Sequence, residues 1–440
     1  MLTLKEQLED IITWLYDIEL ASIDNELQRA RYLLLDTLGC FIAAQSHIEI
    51  KSLIKEYTIL DSGNIQLPGI AEGLSLSSAS TLLTIGSCWN EACEGLSRSH
   101  GRPGLHAIPP ALTIALANNL TLSKLLMAII SGYEIGARMG EVLRIREGMH
   151  VDGGWSSLAA AMSAARALSA DQVCSLNAIT IAASQLPFSL ITPLATANTA
   201  RNTYSAHSVQ LGLFSAICAN SGITAPVKAI EDYSTIALNQ NETNITITKP
   251  NEFMINQGYI KFFPAVVHLH YAIEAALQYK KKYPLHSLIT ALTLLTYEEA
   301  IRYCFHRQPI NMQQAQFSLS YAVAHTLVTG SFNMSSYTTA SLKNNETKRL
   351  ERLIKIEKKS NTHRSNKRGA QLIIHTSEQS HSCTINHIRG DGNSPLDIEQ
   401  LKDKFLSNCA QAIPDNKHNK LMEGILYSPL TTLINDIFSS

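Results

Sequence analysis

Apolar residues recur at helical spacing through most of the first half of the chain. Leu27, Ala30, Leu34, Leu38 and Phe41 fall on one face of Glu26–Ala44, which predicts a helix with one buried stripe. A second apolar run, Leu82–Trp89, delivers the chain into a polar segment. Pro109 and Pro110 stand where the next helix can begin, running Ala111–Asn118. Ser123 is placed to cap a long helix through Leu143 that carries Tyr133, Glu134 and Arg138. Gly148–Gly154 interrupts the pattern, and Trp155–Leu168 resumes it as an Ala-rich helix that neighbours can approach closely. Ser169-Ala-Asp-Gln172 reads as a capping box for a helix over Val173–Ser184. Another helix is expected over His207–Ser221, with Gly222 as its stop. No strand is expected before Asn239.

After Asn239 the period shortens. Asn244–Thr248 alternates and is β-branched, so it predicts a short strand. Ile289–Thr296 is a better strand, and Ile354-Lys-Ile356 alternates at the end of a helical run. Gln371–Thr376 and Cys383–Ile388 are placed to form a hairpin. Asp397-Ile-Glu-Gln400 is a second capping box and opens a helical tail whose later part is Leu421–Phe438. The expected fold class is mainly α. A large all-helical domain spans 1–245 and is completed by the C-terminal helices of 396–440; a smaller α+β domain spans 246–395.

The chain has 440 residues, 45% hydrophobic and only 17% charged, which fits a folded protein with a large core. A formal net charge of -1 argues against nucleic acid or an anionic membrane as the main partner. Between Lys343 and Arg368 there are ten basic and three acidic residues, but no interleaved aromatics, which favours a solvated surface. The eight cysteines form no Cys-x-x-Cys pair, which excludes the usual zinc spacings and fits a reducing compartment. His268 and His270 would face different ways on a helix and have no acidic ligand close by, so no metal is expected. No complete Gly-x-Gly-x-x-Gly or phosphate-loop pattern supports a nucleotide, and no cofactor is expected. The N-terminus lacks a secretory pattern and no run of eighteen apolar residues occurs, so a cytoplasmic location without a membrane span is expected.

Chemistry concentrates in Asn90–Ala111, which holds the carboxylates Glu91 and Glu94, the histidines His100 and His106, and the arginines Arg98 and Arg102. Gly101, Pro103 and Gly104 argue against a regular helix there and let the backbone approach a ligand. Other reactive groups beside chain-breaking residues are His150, Arg201 with Tyr204, Lys261 in Gly258–Pro264, and Tyr321 followed by His325. His325 and His207 read as hydrogen-bonded core residues. Arg102, Arg138, Arg201 and Glu94 are candidates for binding substrate, with Lys261 as a further cation. His150, His100, His106 and Tyr321 are candidates for moving protons. Such a set suits proton abstraction next to a carboxylate, the step shared by elimination, decarboxylation and epimerisation.

The sequence resembles the MmgE/PrpD family, which includes 2-methylcitrate dehydratase, cis-aconitate decarboxylase and iminodisuccinate epimerase. The resemblance runs through most of the chain. It is carried by Arg31-Tyr-Leu-Leu-Leu-Asp-Thr-Leu-Gly39, His100-Gly-Arg-Pro-Gly-Leu-His106, Gly132-Tyr-Glu-Ile-Gly-Ala-Arg138 and Gly148-Met-His150. Tyr259-Ile-Lys261-Phe-Phe-Pro264, Phe317-Ser-Leu-Ser-Tyr321 and Arg389-Gly-Asp-Gly continue it in the same order. The resemblance implies a large helical domain, a smaller α+β lid, a homodimer and no metal or organic cofactor. It puts His150, Lys261 and Tyr321 at family active-site positions. Where dehydratase and decarboxylase members carry an Asp-rich run, this chain has Cys93-Glu94-Gly-Leu-Ser97; it has Arg102 where they place a His, and Arg201 where they place a Lys. Arginine does not give up a proton at usable pH, so these positions favour anion binding over acid–base work. The expected function is a metal-independent lyase or isomerase acting on a small polycarboxylic acid. The alternatives are an epimerase of a small dicarboxylic acid, or a catalytically silent member that binds or supports a partner.

Overall fold

In the computed structural model, residues 2–240, 245–283, 289–359, 368–391, 394–410 and 414–438 are described. Among them, 20 helices and a four-stranded mixed sheet make the chain mainly α, about 60% helical. They divide into two compact units. The first holds 1–193, 200–260 and 396–440; the second holds 194–199 and 261–395. No single helix among the described residues is long and apolar enough to cross a membrane.

The first unit begins with α1 (Leu4–Asp17), α2 (Asp24–Ala44), α3 (Ile48–Leu60), β1 (Ser62–Ile65), α4 (Leu76–Trp89), α5 (Pro103–Asn118), α6 (Leu122–Val142), α7 (Ser156–Ala167) and α8 (Gln172–Ala183). The stripe expected on α2 is buried, but so are Leu33, Leu35, Thr37 and Cys40 on its other faces. A helix buried all round is a core element. It is flanked by α4 and by the helix Ile398–Cys409. The Ala-rich α7 is approached closely, as its composition suggested. A Cβ on Gly132 of α6 would lie 2.5 Å from the Ser163 Cβ, and one on Gly212 of the helix Thr203–Asn220 would lie 2.4 Å from the Ala160 Cβ.

Several expected boundaries give way to local chemistry. Helix α5 starts at Pro103 and carries Pro109 and Pro110 inside it. Proline at the first helical position loses nothing, because the N–H it lacks would have no partner there. Thr121 rather than Ser123 caps α6, its side chain accepting from the Lys124 N–H. Asp171, not Ser169, caps α8, while Ser169 adopts a left-handed φ of 61°. The strand β1 was not anticipated. The expected strand at Asn244–Thr248 is absent over 245–248, and Asn244 lies outside the described residues.

The tail returns to the first unit. Arg31 of α2 donates to the carbonyls of Ile425 (2.6 Å) and Ser428 (2.8 Å). The box at Asp397 forms, its side chain accepting from the Gln400 N–H and the Gln400 side chain from the Asp397 N–H.

In the second unit the strand order is β3-β2-β4-β5, with β2 (Ile289–Thr296), β3 (Ile354–Lys358), β4 (Ala370–Thr376) and β5 (Ser380–Ile385). β2 pairs parallel with β3 and antiparallel with β4, and β4 and β5 form the expected hairpin. The hairpin closes earlier than expected, pairing His375 with Ser380. Leu292, Leu294, Leu372 and Ile374 make the buried face, against which the helix Val267–Lys282 packs.

Breaking the box with Asp397→Ala leaves the Gln400 N–H without its side-chain acceptor. It is expected to cost about 1 kcal/mol in denaturant unfolding of the full chain. A loss below a few tenths would mean the helix Ile398–Cys409 is held by packing alone.

Candidate active site

Two arginines and two carboxylates meet where the polar segment folds back on the first unit. Cys88 lies in the last turn of α4, which ends at Trp89, and the chain then turns at Glu91, whose φ is 53°. Arg102 occupies the N-cap position of α5 and is 6% exposed. Its guanidinium pairs bidentately with Asp152, the Nε–Oδ1 bond measuring 3.3 Å. It also reaches Glu91 Oε1 (3.3 Å), Cys88 Sγ (3.2 Å) and Cys93 Sγ (3.5 Å). Arg201, in the single turn Thr199–Asn202, pairs closely with Glu91 and stands 3.9 Å from Asp152 Oδ2. All four groups are buried. Burial works against each charge, but the opposite charges prevail: Arg102 and Arg201 are raised and Asp152 is held well below the usual carboxylate range.

His150 sits against this quartet. Its backbone N–H donates to the Ser189 carbonyl at 2.8 Å, and Ile191 N–H donates to the Gly148 carbonyl at 2.9 Å, so the Gly148–Gly154 bend is clamped. Gly153 is required by that clamp, because a Cβ there would lie 2.1 Å from Ser189 Oγ. The Asp152 N–H donates to His150 Nδ1 at 3.1 Å, and the Asp152 carboxylate is 3.8 Å from the same nitrogen. One residue thus offers Nδ1 both a donor and an acceptor. Burial lowers the His150 pKa to about 4, outweighing the attraction of Asp152.

His106 is on α5, not in a loop, and is 1% exposed. Its Nδ1 bonds the Arg102 carbonyl at 2.9 Å, which requires a proton on Nδ1. Burial lowers its pKa too, against the pull of Asp152. The two neutral histidines therefore hold opposite tautomers: His150 carries its proton on Nε2, and His106 on Nδ1.

The remaining sequence candidates fall elsewhere. His100 is exposed in a turn, with a left-handed φ of 53°, outside the buried quartet. Arg138 is fully buried: its guanidinium pairs with Glu134 and donates to the carbonyls of Thr248, Lys249 and Glu252, at 2.9–3.0 Å. Glu94 is fully buried and accepts from the Leu105 N–H. In the second unit Lys261 is buried, and Tyr321 donates closely to the Ser336 carbonyl beside His325. His325 is buried, whereas His207 is exposed rather than core. His268 bonds Tyr297 Oη at 2.5 Å. Among the described residues no group of three His, Cys, Asp or Glu is gathered to hold a metal ion. Glu91 and Asp152 were missed as site residues. The available signal was His150-Val-Asp152 inside a glycine-flanked bend.

The MmgE/PrpD N-terminal domain matches residues 9–237, and the MmgE/PrpD C-terminal domain matches residues 263–426. The chain belongs to the MmgE/PrpD family. Family membership supports a dehydratase- or lyase-like enzyme at the level of the family. No curated protein matches the chain. Within this MmgE/PrpD protein the quartet and both tautomer-fixed histidines come from the N-terminal family domain, while Lys261 lies just before the C-terminal match.

Because the folded pKa of His150 is about 4 and an unfolded histidine titrates near 6.5, the native state binds fewer protons between those values. The His150 contribution is therefore intact above about pH 6.5 and lost as pH falls toward 4. Relative to His150→Gln, the wild type is expected to lose about 2–3 kcal/mol of unfolding free energy between about pH 7.5 and 4.5. Parallel stability curves for the two proteins would contradict this.

Proposed function

We propose that this MmgE/PrpD protein is a metal-independent lyase or isomerase that transfers a proton at the carbon next to a carboxylate of a small polycarboxylic acid. The observation that carries this reading is His150 Nδ1 facing both the N–H and the carboxylate of Asp152. With Nδ1 accepting from the N–H, Nε2–H is a donor that can stabilise enolate-like charge. With Nδ1 turned to donate to the carboxylate, Nε2 is a base, and the imidazolium formed on proton uptake stays paired with Asp152. Exchanging the two roles takes a small ring movement together with a change of tautomer, Nε2 giving its proton to the substrate carbanion and Nδ1 taking one up from solvent.

Arg102 and Arg201 supply the cationic surroundings. Since Glu91 and Asp152 already balance them, a substrate carboxylate is bound by competing for guanidinium hydrogen bonds rather than by meeting bare charge. Lys261 and Tyr321 enter the reading on the family resemblance and call for their own substitutions. An epimerase is the second reading, favoured by the presence of two neutral histidines of opposite tautomer. A homodimer and a cytoplasmic setting belong to the same proposal.

The test is incubation in heavy water with cis-aconitate, 2-methylcitrate, citrate and aspartate-derived acids, followed by proton NMR. New products support the lyase; deuterium exchange with inversion supports the epimerase; silence across the panel, with no binding by calorimetry, refutes both. On whichever acid turns over, His150→Gln is expected to lower kcat by roughly a hundredfold or more with the protein still folded near neutral pH. Wild-type kcat in that variant would remove His150 from the mechanism. Dialysis against a strong chelator is expected to leave turnover and Tm unchanged; a loss restored by zinc or iron would end the metal-independent reading.

A further inference from the structure

The ionic quartet leaves out one carboxylate of the Asn90–Ala111 stretch. Glu94 is fully buried, and its Oε1 accepts from the Leu105 N–H at 3.1 Å. Leu105 lies in the first turn of α5, where backbone N–H groups have no partner within the helix. Arg102 makes no side-chain cap there, so Glu94, reaching in from the preceding loop, supplies one. Gly104 leaves the room: a Cβ at that position would lie 3.0 Å from Glu94 Oε1, 3.1 Å from Cδ and 3.2 Å from Cγ.

The second oxygen, Oε2, has no hydrogen-bond partner among the described residues, and neither has the buried Tyr133 hydroxyl. The charged and titratable groups facing this carboxyl come from several elements. Arg29 and Asp36 act from α2, Arg102 from the start of α5, and Tyr133 from α6. Asp36 is itself paired with Lys404 of the helix Ile398–Cys409. Arg29 is turned toward the carbonyls of Ile255 and Gly258, to which it donates at 3.3 and 2.8 Å.

We propose that Glu94 is a positioning residue for the candidate active site: its carboxyl group caps the first turn of α5 and so sets Arg102 and His106, which that turn carries. This rests on the reading of those two residues as site groups. The coupling is local, because the Arg102 carbonyl holds His106 Nδ1 at 2.9 Å and the capped Leu105 lies between them. An ionised Glu94 complements the positive end of α5 and accepts strongly from Leu105; a protonated one accepts weakly. Burial raises its pKa to about 7, so both forms are populated near neutrality.

The test follows the Leu105 amide and the His106 ring by NMR from about pH 5.5 to 8.5 in the full chain, in wild type, Glu94→Gln, Glu94→Ala and Gly104→Ala. In wild type both signals are expected to shift together with a midpoint of about 7. Gln keeps the acceptor without the proton, so Glu94→Gln is expected to fold and to flatten both curves over this range. Gly104→Ala crowds the carboxyl and is expected to speed Leu105 amide exchange about tenfold, as is Glu94→Ala where it folds. A midpoint unchanged in Glu94→Gln overturns the proposal. So does a Leu105 curve that responds while His106 stays indifferent, since Glu94 would then cap without positioning. The readout needs no substrate, so a silent acid panel would refute the proposed function and leave this result to stand or fall by itself.

Discussion

The pairing of Arg102 and Arg201 with Asp152 and Glu91 is the constraint on which the rest of the site depends. Each charge is buried, and an ion taken out of water alone costs several kcal/mol. The cost is offset only when all four are present and correctly aimed. Assembling them fixes four separate pieces of chain at once: the end of α4 with its turn at Glu91, the N-cap of α5, the bend at Gly148–Gly154, and the short turn holding Arg201. Such a quartet adds little net stability compared with an apolar replacement. What it contributes is placement, because removing one partner strands another buried charge at a cost of about 3–5 kcal/mol.

Charge balance also governs the histidines. The quartet sums to no net charge, so His106 and His150 face a polar but neutral surround, and burial decides their protonation. Both are lowered. Which nitrogen then holds the single proton is set by the backbone: the Arg102 carbonyl for His106, and the Asp152 N–H for His150. Asp152 therefore serves the arginines through its carboxylate and a histidine through its main chain.

Much of the helical scaffold was legible because long apolar runs mark buried helices even where, as on α2, every face is covered, and because Asp397-Ile-Glu-Gln400 needs only local chemistry to form its box. The start of α5 was not. Pro103 and Gly104 look like helix breakers until one knows that the first is at the helix start and the second makes room for Glu94. His100 and His106 are alike in sequence, yet one is exposed in a turn and the other is 1% exposed on a helix. Arg102 and Arg138 are likewise both buried arginines, separated only by what meets them: side-chain carboxylates converge on the first, while backbone carbonyls take up most of the second. Glu91 and Asp152 could not be paired from spacing, since their meeting depends on tertiary folding through Arg102.

On the proposed reading, Arg102 and His106 act together. An arginine before Pro103 cannot carry a proton through turnover. One helical turn further along the same face of α5 stands His106, whose ring is held by that arginine's own carbonyl. The arginine thus gives its side chain to Asp152 and Glu91 and its main chain to the histidine. Replacing Arg102 with histidine alone would take a permanent cation away from between Glu91 and Asp152. A change of charge at position 102 therefore calls for a matching change at Glu91 or Asp152, because the charges at these positions are solved as a set.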